Sequence, residues 1–91
     1  MNDRISQVPP SNCLDLHQFR PSDVPELIKE FLWSCQHAGI TQGVIIHGKG
    51  TGSMRELTHK ILRNHSGIES FHLGSSSNGE NWGQTSFKLS I

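Results

Sequence analysis

Charge of one sign and cysteine are both in short supply: eight Lys and Arg are matched by eight Asp and Glu, and only Cys13 and Cys35 are present in 91 residues. A formal net charge of zero provides no global basic field to attract nucleic acid, so any such binding must come from a local patch. The two cysteines are far apart, with no close-spaced pair of the kind that holds zinc or does redox work, and two reduced, mostly buried thiols are expected. No apolar run approaches the ~18 residues of a membrane span. The start, MNDRISQVPP, lacks the basic opening and apolar core of a secretory signal. A cytoplasmic protein without membrane contact is the expectation. The length leaves no room for a second domain but suffices for one two-layer core. Only 33% of residues are hydrophobic, yet they cluster, which separates the chain from disordered sequences.

What is present is regular from Asn12 onward, so residues 1–11 read as an N-terminal arm and 12–91 as the domain. CLDLH, Cys13 to His17, alternates as a strand, with Leu14 and Leu16 on one face and Asp15 and His17 on the other. A helix follows, opened by a capping box at Asp23 and Glu26 and stopped at Gly39, with Val24, Leu27, Ile28, Phe31, Leu32, Cys35 and Ala38 as its apolar stripe. Gly43 to His47 is a β-branched strand, and SMRELTHKILRNH a second helix with a capping box at Ser53 and Glu56. Its stripe is Met54, Leu57, Ile61 and Leu62. Ile68–Leu73 and Thr85–Ile91 are the remaining strands, the last with Phe87, Leu89 and Ile91 inward. The order βαβαββ, with right-handed crossovers, predicts a two-layer α/β sandwich: a mostly parallel mixed four-stranded sheet with two helices on one face. The polar segment between the last two strands carries Trp82.

Parallel strands joined by helices end at one edge of the sheet, where α/β folds bind ligands. His17 and His47 end the first two strands, and Asp15 stands two residues behind His17, so all three are expected at one cleft. After His47 comes GKGTG, Gly48 to Gly52, which permits left-handed turns and close approach to a ligand, followed by a helix N-terminus with free N–H groups. Lys49 precedes the last glycines and no G-x-x-x-x-G-K-[ST] is present, which excludes a Walker A site. With His47, Lys49 and Arg55 around the glycines, and Lys60 and Arg63 further along the second helix, the local balance is basic and suits a phosphodiester backbone, for which Gly48, Lys49, Gly50, Thr51, Gly52, Arg55 and Arg20 are the candidate contacts. Asp15 paired to His17 suits acid-base work on such a backbone, against the plainer reading of a cap beside a solvated histidine. For His47 three roles stand open: a second acid or base, a donor to phosphate, or an anchor for the loop. His37, His59, His65 and His72 form no metal-ligand spacing and read as surface or partly packed residues. Asp15, His17 and His47 are too few firm ligands for a closed zinc site, so no metal site is assigned. Trp33 and Trp82 suit either base stacking or core cover.

LDLHQF, IIHGKGTGSMRE and the closing WGQT together resemble the Smr (small MutS-related) domain, whose signatures are an L-D-x-H block and an H-G-x-G block. The resemblance spans about Leu14 to Leu89, without the MutS-like ATPase or helical repeats to which such domains are often fused. It implies a mixed sheet in the order one, two, four, three, and endonuclease activity on DNA or RNA, with Mg²⁺ or Mn²⁺ where that activity is metal-aided. It carries over Asp15, His17, His47, Gly48, Lys49 and Gly50. Gln18 departs from the glycine of many members, which stiffens that loop. The expected partner is DNA or RNA, and the expected state a monomer or weak homodimer. The contrasting reading is a non-catalytic nucleic-acid or ribosome-associated binding module using the same rim.

Overall fold

The computed structural model describes residues 12–48, 50, 52–74 and 83–90. The arm 1–11, Lys49, Thr51, Trp82 and Ile91 lie outside the described residues. The elements are β1 (Cys13–Asp15), α1 (Val24–His37), β2 (Gln42–Ile46), α2 (Ser53–Arg63), β3 (Ile68–Leu73) and β4 (Gln84–Leu89), with a 3-10 turn at Pro21–Asp23 leading into α1. The four strands form one sheet in the order β1-β2-β4-β3. β1 and β2 make a parallel ladder, whereas β4 pairs antiparallel with both β2 and β3. Three strands therefore share a direction and β4 runs against them. Both crossovers step the same way, and their right-handedness sets α1 and α2 on one face.

The core forms where those helices meet the sheet. α1 contributes Val24, Ile28, Leu32 and Cys35, and α2 contributes Leu62; Leu16, Ile45, Phe87 and Leu89 rise from the sheet side to meet them. Phe31 packs edge-on against Phe87 with ring centroids 5.8 Å apart. Gly43 faces the Phe87 ring across the β2–β4 ladder, and a Cβ there would lie 2.6 Å from both Phe87 Cζ and the Asn12 carbonyl oxygen. Absence of a side chain at Gly43 is thus what lets the Phe87 ring pack closely against β2.

Several expectations need correction. Neither helix start has the expected N-cap geometry. The 3-10 turn runs straight into α1, so Asp23 has right-handed helical dihedrals and its carboxylate makes no capping bond. In α2 the N-cap is Gly52, at φ 90°, which places Ser53 one residue inside the helix. Cys13 is exposed because β1 is an edge strand and Cys13 points to its outer face, while Cys35 is buried as expected. Ala38 is exposed as the C-cap of α1. The buried centre of the α2 stripe is Thr58 beside Leu62, its hydroxyl satisfied by donation to the Met54 carbonyl at 2.9 Å.

Candidate active site

β1 and β2 end together. Asp15 is in register with Ile46, and the Leu16 N–H donates to the Ile46 carbonyl at 2.8 Å, so the chain leaves both strands at one edge. Past that edge the Phe19 N–H donates to the Leu16 carbonyl at 3.1 Å and turns the chain, which presents His17 beside its own strand. Asp15 Oδ1 accepts twice from His17, from its backbone N–H at 2.9 Å and from Nδ1 at 2.7 Å. The backbone donor holds the Asp15 carboxyl below its ordinary value, opposed by desolvation and helped to a lesser degree by the hydrogen bond and charge of the His17 ring. Because Nδ1 donates to a carboxylate, the neutral ring keeps its lone pair on Nε2. That nitrogen faces the β2–α2 loop: a Cβ built on Gly48 would stand 3.3 Å from it. The pair is open to solvent, with side chains 60% and 57% exposed.

The loop is shaped by glycine. Gly48 and Gly52 have φ of 84° and 90°, left-handed values that a side chain would strain. The Gly83 carbonyl accepts from both the His47 and Gly48 N–H groups, at 2.9 and 2.8 Å, and ties the start of the loop to the start of β4. Arg55 folds back over the first turn of α2, with one guanidinium nitrogen 2.7 Å from where a Gly52 Cβ would sit. A cation therefore stands beside the positive end of the α2 dipole. Arg20 is exposed in the connection that follows His17.

His47 does not join this pair. Ile46 shares the open face with Asp15, so His47, one residue on, turns to the helix face and is only 6% exposed. Its Nδ1 donates to the Gly48 carbonyl at 3.0 Å, and its Nε2 lies 2.8 Å from Thr85 Oγ1. The expectation of one cleft for Asp15, His17 and His47 is thus replaced by one edge with two faces. Of the three roles open for His47, this geometry fits the anchor. Burial, followed by Arg55, keeps its imidazole below the ordinary 6.5, opposed by the bond to Gly48. His59 of α2 joins it: its Nε2 is 2.7 Å from the same Thr85 hydroxyl. Sequence reasoning missed both Thr85 and His59. Thr85 has the same parity as Phe87 and Leu89 along β4, and a polar residue at an inward position was the available signal.

For a metal the fit is poor. Asp15 commits one oxygen to two N–H donors, and among the described residues no group of three or more His, Cys, Asp or Glu could hold an ion. No step below passes through one.

The family model for the Smr domain matches residues 14–89. The chain is 39% identical over 66 residues to an endonuclease MutS2 of Brevibacillus brevis, covering 72% of this chain and 8% of that protein. It is 36% identical over 76 residues to an endonuclease MutS2 of Listeria innocua, covering 84% of this chain and 10% of that one. The chain thus spans about a tenth of the length of these curated relatives. Its fold matches the crystal structure of the Smr domain of Thermus thermophilus MutS2 with a TM-score of 0.79 at 24% identity, over 88% of this chain and 99% of that one. It also matches YdaL, a stand-alone small MutS-related protein from Escherichia coli, with a TM-score of 0.76 at 17% identity, over 94% and 70% of the two chains.

Proposed function

Because the chain belongs to the Smr domain family, we propose that it binds nucleic acid at the edge where β1 and β2 end and cuts the phosphodiester backbone there. The observation that carries this reading is the 2.7 Å bond from His17 Nδ1 to Asp15, which leaves Nε2 as a directed base at an exposed edge. In the reaction, Nε2 takes a proton from the attacking oxygen, a water or a ribose hydroxyl, as that oxygen bonds to phosphorus. Asp15 keeps the ring in one tautomer and faces the positive charge the ring then carries. The bond from phosphorus to the leaving oxygen breaks, and that oxygen takes a proton from the imidazolium or from water. Lys49, Arg55, the glycine-rich loop and the start of α2 offset the charge gathering on the phosphate oxygens.

The binding-module reading has one observation in its favour: His47 is turned into the helix layer, which leaves a single imidazole where two-group acid-base catalysis uses a pair. Cleavage of labelled DNA and RNA by the wild type and by Asp15→Asn, with and without Mg²⁺ or Mn²⁺, separates the two. Strand cutting by the wild type that Asp15→Asn slows while still binding supports the enzyme. Binding with no cutting under any of these conditions overturns it and leaves a binding module.

A further inference from the structure

His47, Thr85 and His59 come from the end of β2, from β4 and from α2, and meet where the helix layer covers the sheet edge. Their hydrogens can be placed one after another. The Gly48 carbonyl can only accept, so its 3.0 Å contact requires a hydrogen on His47 Nδ1. A neutral imidazole carries one hydrogen, which leaves His47 Nε2 as an acceptor and makes Thr85 Oγ1, at 2.8 Å, its donor. The hydroxyl has no second hydrogen, so toward His59 Nε2, at 2.7 Å, it accepts. One carbonyl thereby orders three hydrogens in a row.

The surroundings favour the uncharged rings this order needs. Both imidazoles are held below their ordinary value, chiefly by burial. The charged groups facing them are Arg55, Glu56 and Arg63 of α2, of which only Glu56 favours a cation. The two rings stand edge-on with centroids 6.0 Å apart, and Phe71 of β3 closes on His59 at 5.1 Å. At the other end of the row, Gly48 is the residue against which His17 Nε2 lies.

We propose that Thr85 and His59 are positioning residues for the glycine-rich loop: they hold His47 with its proton on Nδ1, and His47 holds the Gly48 carbonyl and so the turn beside His17. The hydrogen order is independent of the nuclease reading, and its consequence for a substrate rests on that reading. Long-range proton–nitrogen NMR on the full chain with labelled histidine is the direct test. The wild type is expected to show an unprotonated Nε2 at His47 and a protonated Nε2 at His59. Thr85→Val is expected to abolish that single His47 pattern and weaken binding of a fluorescein-labelled oligonucleotide about fivefold, the effect of one net hydrogen bond. Thr85→Ser is expected to restore both. His59→Leu is expected to weaken binding as Thr85→Val does, and His59→Gln, which keeps a donor toward Thr85, to retain it. A wild-type His47 protonated on Nε2 overturns the proposal whether or not any variant folds, as does a folded Thr85→Val with the His47 pattern unchanged. Absence of oligonucleotide binding by the wild type overturns the substrate half and the reading of function beneath it, while the spectrum alone decides the hydrogen order.

Discussion

At the scale of single residues, Gly48 and Gly39 form a natural comparison. Both have left-handed φ, 84° and 76°, but a Cβ on Gly48 would stand 3.3 Å from His17 Nε2 whereas one on Gly39 would meet nothing within 4 Å. Alanine at either position is expected to cost about 1 kcal/mol through backbone strain. Only Gly48→Ala is expected to impair binding or cutting, and chemical denaturation beside an activity assay checks both halves. The buried histidines give a pH dependence. With both rings below 6.5 in the folded chain, the unfolded chain binds protons that the folded one refuses, so stability is full above about 6.5 and falls as the medium is acidified below it. Asp15 works in a separate, lower window: its contribution is present above 3.8 and is lost as pH falls through its depressed folded value. Thermal melts from neutrality down to about pH 5 should show the histidine loss. His59→Gln removes one of the two titrating groups, and should flatten the slope by up to about 1.4 kcal/mol per pH unit.

At the scale of elements, the β2–β4 ladder depends on Gly43. Alanine there would drive a methyl into Phe87 and the Asn12 carbonyl, and is expected to destabilise by about 1–3 kcal/mol, read as a lower denaturant midpoint with an unchanged slope. This ladder also marks how far the sequence could be read. Element order, the inward faces of β1 and β4, and the placing of His17 and His47 at one edge follow from period-two and period-3.6 patterns, which are local. Start positions of helices were less legible, because Asp23 and Ser53 both have the right neighbours for a capping box while the preceding chain, a 3-10 turn in one case and left-handed Gly52 in the other, decides the N-cap geometry. The face of His47 was missed for a related reason. Ending a strand fixes the edge a residue reaches, but the side it turns to depends on parity, which counts from Ile45 inward. His59 and Thr85 meet only through tertiary packing, 26 residues apart in sequence, and no local pattern links them.

At the scale of the whole molecule, the net charge is zero, so the proposed attraction to a polyanion has to come from a local group of cations such as Lys49 and Arg55. Lys49→Ala and Arg55→Ala are each expected to weaken affinity for oligonucleotides of any sequence and to reduce the slope of log affinity against log salt by roughly one for each phosphate left without its cation. Titrations over a range of salt concentrations check this, and unchanged slopes would move the anion site elsewhere. The proposed phosphate contacts Lys49 and Arg55 follow β2 in the sequence, whereas the proposed base His17 follows β1. That separation makes His17→Ala the most direct test. Single-turnover cleavage by this variant is expected to fall by about a hundredfold or more, with affinity within a few-fold of wild type. Cleavage by His17→Ala at the wild-type rate would contradict the account at its centre.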